Sequence, residues 1–321
     1  MPVLPRLDRR ALLALAAALA AGGGQAPRAH AKEGRGVGAL PLDAVADGVH
    51  VFRAPYELID TANGGAIANM TLIVGDEAAA VIDTGNSHLA GARMRAAVRA
   101  TTDKPLRYVI NTHMHPDHTL GNAAFVEDGV RFVAHHKMPR ALSLRSETYL
   151  AQVERLLGAQ AEGTRIVLPD LLVEDRLVLD LGGRPLELQA HPTAHTDNDL
   201  TILDVATNTW VMGDILFIGH IPTLDGSLLG WLKLLDALTA IPAGRAVPGH
   251  GPASVVWPQA SAAERRYLDA LRSDIGRLLA GGRPMSEAPA HAAISERAEW
   301  ALFDEFNARN AIAAYHEMEW E

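Results

Sequence analysis

Short apolar runs bounded by turn residues recur along this chain, and longer stretches with apolar positions three and four apart lie between them. The first pattern predicts strands and the second helices. Strand signals fall at residues 50–53, 70–74, 78–82, 108–110 and 131–134, the second and third joined by a turn at Gly75-Asp76. Runs at 186–189, 200–203 and 210–212 belong to two further hairpins, turning at Gly182-Gly183 and Thr207-Asn208. Helices are expected over 88–100, 138–157, 228–238, 259–279 and 294–315. Strands and helices intermix along one chain with no internal repeat, which places the protein in the α/β class with layered (α+β) packing.

Polar residues interrupt this pattern where strands end. Asn111-Thr112-His113-Met114-His115-Pro116-Asp117-His118 follows the apolar run Tyr108-Val109-Ile110 directly, so four potential ligands leave one strand end together. Alternate residues on extended backbone point the same way, so His113 and His115 can hold one cation. The bend at Pro116 turns Asp117, with His118, toward a second. Three imidazoles and a carboxylate in one loop gain little from packing and would repel when protonated, and a bound cation is the simplest reason for them. Three later residues have strand-end contexts: His195 between the runs at 186–189 and 200–203, Asp214 after Trp210-Val211-Met212-Gly213, and His250 in Pro248-Gly249-His250-Gly251. Each alone reads more readily as a solvated turn residue; the compact run makes them ligands of the same centre. Imidazole and carboxylate are ordinary zinc ligands, and a catalytic zinc keeps three protein ligands and one open position. Seven ligands suit two zinc ions if one carboxylate bridges, and iron or manganese would be accepted by the same groups. A water held between two such ions loses a proton near neutral pH, with Asp117 orienting it, so no Ser or Cys nucleophile is required.

At these residues the chain resembles the metallo-β-lactamase superfamily, whose His-x-His-x-Asp-His run is followed by distant His, Asp and His. The resemblance spans residues 44–257 and implies an αββα sandwich with two metals at the edge of its sheets. It implies that His113, His115 and His195 hold one metal and Asp117, His118 and His250 the other, with Asp214 bridging, and that Asp117 and Asp214 are the catalytic carboxylates. It also implies that Asp83, at a strand end, supports the ligand loop by hydrogen bonding. Within the superfamily the chain is most similar to the quinoprotein relay system zinc metallohydrolases, through His115-Pro116-Asp117-His118-Thr119-Leu120-Gly121-Asn122 and Ile221-Pro222-Thr223-Leu224-Asp225-Gly226-Ser227. That narrower resemblance implies an exported protein linked to a periplasmic quinoprotein dehydrogenase. Many superfamily members carry two glycines after the ligand run, where this chain has Leu120, Gly121 and Asn122, a departure that bears on the shape of the adjoining pocket. The loop 219–225 follows Asp214 closely and supplies the substrate candidates His220, Thr223 and Asp225. His135, His136 and His191 read as surface or core residues, and Leu228 and Trp231, at helix spacing, as core.

Composition narrows the picture further. The 321 residues include 29 Lys and Arg against 38 Asp and Glu, a formal charge of −9, which argues against a nucleic-acid partner and for a small-molecule substrate. Residues 1–31 read as a removable export signal: Arg6, Arg9 and Arg10, then an Ala/Leu stretch, then Ala29-His30-Ala31. The stretch is too short to span a bilayer. Arg9-Arg10 suggests the twin-arginine route, although Asp8 and Ala11 depart from its fuller pattern and leave general secretion open. Removing the signal takes four arginines and one aspartate, so a mature periplasmic protein beginning at Lys32 carries a formal −12. A linker, 32–43, the catalytic domain, 44–257, and a C-terminal helical extension, 258–321, packed on that domain, complete the expected organisation. With no cysteine, no disulfide supports the fold, and the lactamase subclass with a Cys ligand is excluded.

The leading expectation is thus a binuclear zinc hydrolase of an ester, thioester, lactone or lactam-type bond. Its rivals are a β-lactamase, a mononuclear iron persulfide dioxygenase and a non-catalytic periplasmic metal-binding accessory protein. Asp214 disfavours the first, since lactamases of this superfamily place Cys or Ser there. The second would leave Asp117, His118 and His250 without a metal to bind.

Overall fold

The apolar runs pair as strands of two sheets in a computed structural model that describes residues 38–320. The expected export signal, 1–31, lies outside the described residues. The first sheet holds β1 (Asp43–Ala46), β2 (Val49–Phe52), β3 (Met70–Val74), β4 (Ala79–Ile82), β5 (Leu106–Ile110), β6 (Arg131–His135) and β7 (Leu171–Val173) in that spatial order. Its first four strands are antiparallel neighbours, and β4 to β7 run parallel. The second sheet has the order β12 (Arg245–His250), β11 (Thr209–Phe217), β10 (Leu200–Asp204), β9 (Pro185–Ala190), β8 (Arg176–Asp180). The helices are α1 (His88–Thr101), α2 (Pro116–Thr119), α3 (Met138–Leu157), α4 (Leu228–Thr239), α5 (Ala262–Ala280), α6 (Ala288–His291) and α7 (Phe303–Met318).

Period-two patterning decides what each face meets. Ile73, Ala80, Ile82, Ile110 and Val133 point between the sheets, onto Leu186, Leu188, Ile202, Val211 and Val247 of the second sheet. Their chain neighbours Leu72, Val81, Val109 and Phe132 face outward and take Met94, Ala97 and Val98 of α1. Trp210 and Met212, on the outer face of the second sheet, are covered by Trp231 and Leu235 of α4, Tyr267 and Leu271 of α5 and Ala311 of α7. The result is an αββα sandwich. The central strands β3 and β4 are buried on both faces, which is why the runs at 70–74 and 78–82 read as continuous rather than alternating. Burying each Leu, Ile or Val in these layers contributes about 1.5–3 kcal/mol.

Helix starts follow local chemistry. Ser87 caps α1 by accepting from Ala90 N at 3.0 Å, and Ser227 caps α4 by accepting from Gly230 N at 2.8 Å, each worth about 1 kcal/mol. Glu317 of α7 adds an acceptor for Leu228 N at 2.7 Å and so brings a carboxylate to the positive end of α4.

Four differences from the sequence reading have tertiary causes. Residues 294–315 do not form one helix: Ala301 exchanges backbone hydrogen bonds with Gly219 and Ile221, Leu302 takes a left-handed φ of 61°, and α7 starts only at Phe303. His250 is not in a free turn but ends β12, an edge strand where the missing N–H of Pro248 is tolerated. Asp214 lies inside β11 rather than after a strand, at a point where pairing with β12 slips between Val211, Gly213 and Phe217. Residues 38–42 fall within the expected linker, yet Leu40 is buried and donates its N–H to Arg93 O at 3.2 Å. Among the described residues no helix is long and apolar enough to cross a membrane.

Candidate metal centre

Parallel β5 delivers the ligand loop at the carboxyl end of its strand, where functional groups of parallel sheets collect. The loop is held from beneath. Asn111 donates to His118 O at 2.9 Å, Asn122 donates to Asn111 Oδ1 at 2.7 Å, and Thr84 donates to Asn122 Oδ1 at 2.9 Å. Leu120 and Asn122, where the chain departs from the double glycine, are therefore buried under the loop, Leu120 among Met114, Ala134 and Met138. Neither lines the cavity above it.

Asp83, at the end of β4 with a left-handed φ of 59°, accepts from Thr112 N at 2.8 Å and Thr112 Oγ1 at 2.7 Å, and pairs with His118 Nδ1 at 2.8 Å. With its hydroxyl proton given to Asp83, Thr112 Oγ1 accepts from His113 Nδ1 at 3.0 Å. One buried carboxylate thus sets the tautomer of two imidazoles, leaving both Nε2 atoms free to face the centre. His195 Nδ1 donates to Thr223 O at 2.6 Å, and His115 Nε2 donates to Asp225 Oδ2 at 3.0 Å.

The free nitrogens converge. His113 Nε2, His115 Nδ1 and His195 Nε2 are separated by 3.1, 3.0 and 3.3 Å, with a carboxylate oxygen of Asp214 completing a group of four ligand atoms within 4.8 Å. Each of these rings has its only neutral-state proton on the other nitrogen, so three lone pairs point at one another and cannot hydrogen-bond. A tetrahedral cation with N–metal distances of about 2.0–2.1 Å would hold such nitrogens roughly 3.3 Å apart. Asp117, His118 and His250 make a second group within the same reach. His250 Nε2 lies 3.3 Å and His118 Nε2 3.6 Å from Asp117 Oδ2. Asp214 stands between the groups: its Oδ1 is 3.3 Å from His118 Nε2, and its Oδ2 is 3.5 Å from His195 Nε2 and 3.6 Å from His250 Nε2. Close approach of β11 to β12 permits this, since a Cβ at Gly249 would lie 1.9 Å from Asp214 Oδ1. His118 Nε2 and Asp214 Oδ1 are buried with no hydrogen-bond partner, an arrangement that costs free energy unless a cation takes both lone pairs. The residues present therefore suit metal ions.

The electrostatics agree. Burial holds His113 well below the ordinary histidine pKa and takes His195 down to about 3, so both are neutral ligands. Burial also opposes charge at His118 and His250, but the carboxylates of Asp214 and its neighbours override it, raising His118 well above the usual range and His250 to about 9. That field favours positive charge between the second group's residues, which a divalent cation supplies.

Four of the seven ligand candidates, His115, Asp117, Asp214 and His250, line a cavity of about 420 Å³. His220, Thr223 and Asp225 line it, as the sequence suggested. His220 Nδ1 donates to Ile221 O at 2.7 Å and its ring lies 4.7 Å from that of His250, where burial lowers its pKa to about 4. Asp225 does more than line the cavity, because its carboxylate also fixes His115. Asp225→Asn should consequently weaken zinc affinity of the first group by about tenfold or more. Competition against a chromophoric chelator measures this, and unchanged affinity would contradict it. The sequence did not reveal Arg145 and Tyr149 of α3 or Phe306, Arg309 and Asn310 of α7, which also line the cavity. Asn310 ties α7 to the 219–225 loop by donating to Pro222 O at 2.6 Å and accepting from Leu224 N at 2.9 Å. His135 and His136 stack on each other and His191 meets Thr201 Oγ1 at 2.8 Å, none of them at the cavity. Trp231 is core, its Nε1 donating to Ile215 O at 3.2 Å.

Comparison with known proteins is consistent with this centre. The family model described as the metallo-beta-lactamase superfamily matches residues 63–250, which include all seven ligand candidates. A linear primary-alkylsulfatase of a Pseudomonas species is 37% identical over 57 residues, 18% of this chain, and the chain spans only 11% of that protein's length. Among solved structures, the stereoselective inverting sec-alkylsulfatase Pisa1 from Pseudomonas sp. superposes with a TM-score of 0.67 at 19% identity, over 87% of this chain and 50% of its own. A metallo-beta-lactamase from Pontibacter korlensis superposes with a TM-score of 0.58 at 17% identity, over 72% of this chain and 99% of its own.

Proposed function

Because this chain belongs to the metallo-beta-lactamase superfamily, we propose that it is a metal-dependent hydrolase that holds two zinc ions and cleaves an ester, thioester, lactone or lactam-type bond in a small molecule. The observation that carries the reading is the Asp214 carboxylate, within 3.7 Å of imidazoles from both ligand groups. His113, His115 and His195 would hold one ion and Asp117, His118 and His250 the other, with Asp214 shared. When bound, such ions supply an activated water at neutral pH and a Lewis acid for the scissile group. The chain's own residues do the rest. Asp117 is the more exposed of the two catalytic carboxylates, its side chain 17% accessible against 3% for Asp214, so it can accept a hydrogen bond from the attacking water and aim it. Asp83 and Asp225 keep three imidazoles in the ligating tautomer, and Tyr149, Leu224 and Phe306 add bulky side chains to the cavity wall. The gathering of Asp117, His118 and His250 favours this reading over a single-iron oxygenase, which would leave them idle. Sulfuric esters join the panel of substrates on the names of the sulfatase relatives.

Elemental analysis of purified protein should find two zinc equivalents per chain, and His118→Ala should lose the second group's ion before the first. One iron with little zinc would overturn the reading. Turnover on a panel of esters, thioesters and lactams then separates a hydrolase from an accessory protein that merely binds metal.

Export to the periplasm and service to a quinoprotein dehydrogenase system belong to the same proposal, the first supported by the basic start, the Ala/Leu stretch and Ala29-His30-Ala31. The mass of the exported chain should correspond to a start at Lys32. A membrane-bound form retaining Met1 would refute it.

A further inference from the structure

Two cations on the wall of the metal cavity have no part in the hydrolytic machinery described above. Arg145 comes from α3 and Arg309 from α7, and Tyr149 lies one turn beyond Arg145 on α3. Tyr149 sits among four charges, close enough to feel Arg145 and Arg309 as well as Asp225 and Asp117. Burial pushes its pKa further up, so it remains a neutral donor at any working pH, and among the described residues its hydroxyl has no acceptor. Arg145 makes one long contact, 3.4 Å, to an Asp225 oxygen that is already committed to His115 at 3.0 Å. A guanidinium carries five donors in a planar fork, and a single long contact leaves most of them unused. Arg309 is exposed and has no carboxylate partner among the described residues. Two guanidiniums facing one small cavity repel each other, and they offset part of the negative charge that Glu57, Asp117, Asp214 and Asp225 bring to the same wall. Leu58, Ile59, Ile67 and Phe306 give part of the wall an apolar surface.

We propose that Arg145, Tyr149 and Arg309 form an oxyanion subsite beside the metal centre, so that the substrate is an amphipathic organic anion whose hydrolysable bond lies within a side-chain length of a carboxylate, sulfate or sulfonate. This rests on the hydrolytic reading of the same cavity. Paired guanidiniums and a phenol match the oxygens of such a group in both geometry and charge. The subsite orients the scissile bond toward Asp117 while the apolar wall takes the rest of the chain. It also meets the need of an acidic protein for local positive charge if its substrate is anionic.

The test uses the zinc-loaded full-length protein and two esters of equal chain length, 4-nitrophenyl hydrogen glutarate and 4-nitrophenyl pentanoate. The anionic ester should be preferred in kcat/KM by about tenfold or more, and Arg309→Gln and Arg145→Gln should each reduce that preference about tenfold, mainly through KM. Arg309→Lys should keep part of it, because charge survives without the fork. A preference for pentanoate, or variants that discriminate as the parent does, would overturn the subsite. If the parent cleaves neither ester, the hydrolytic reading loses its support and binding decides the subsite separately. Octyl sulfate and octanoate should then raise the melting temperature of the parent more than octanol does, and Arg309→Gln should abolish the difference. Equal stabilisation by octanol would sink the proposal, and the order of sulfate against carboxylate tells which oxyanion the fork prefers.

Discussion

Asp214→Ala should yield a folded protein that loses tight binding at both ligand groups and turns over substrate at least about a hundredfold more slowly, since small misplacements of reacting groups cost that much. The carboxylate lies within 3.7 Å of His113, His118, His195 and His250, ligand candidates of both groups. Its removal leaves two sets of imidazoles with nothing to fix their separation. The fold should survive, because β11 keeps its ladders to β10 and β12 and its apolar contacts on both faces. Zinc content, circular dichroism and kcat measured on one preparation check the three parts of the expectation. Full activity in Asp214→Ala would show that the two groups do not work as one centre. Asp117→Asn should be comparably harmful to rate, because an amide both weakens the second group and loses the charge that aims the water.

Asp83→Ala should be the most damaging change among residues that touch no metal. The carboxylate is 2% exposed and accepts from Thr112 N and Thr112 Oγ1, while its Oδ2 receives the His118 Nδ1 proton. Without it, buried donors are stranded at about 1–3 kcal/mol each, and a total loss of roughly 2–5 kcal/mol is expected. In a domain of this size that lowers Tm by roughly 5–10 °C. The functional loss should exceed what instability explains, because His118 and, through Thr112, His113 are released from the ligating tautomer, with a fall in zinc affinity of about ten- to a hundredfold. Thermal melts together with zinc titration separate these effects. A variant with lowered Tm but parental zinc affinity would assign Asp83 to stability alone.

The strand-end expectation proved partly geometrical and partly too simple. His113, His115, Asp117 and His118 were visible because they are close in sequence, and a loop of six residues leaves little freedom in where they point. Asp83 was visible through its place at the end of an apolar run. The contexts of Asp214 and His250 were misread in detail, since both were placed in strand-end turns, yet with Gly213 and Gly249 they sit within β11 and β12. Glycine there serves the close approach of two strands, which a local rule cannot distinguish from a turn. The break of the last helix at residues 297–302 was invisible for a similar reason: its cause is the pairing of Ala301 with Gly219 and Ile221, some eighty residues earlier.

Sequence by itself determined the class of fold, the order of the main elements and the types of side chain offered at the candidate centre, because hydrophobic periodicity and residue type are local properties of the chain. Tertiary structure alone decided that Asp214 stands between two ligand groups, that Asp225 holds His115 while also lining the cavity, and that α7 closes the cavity with Phe306, Arg309 and Asn310. Those relations join residues from about twenty to about two hundred positions apart. Only the packing of two sheets and their covering helices sets such distances, and no periodicity along the chain encodes them.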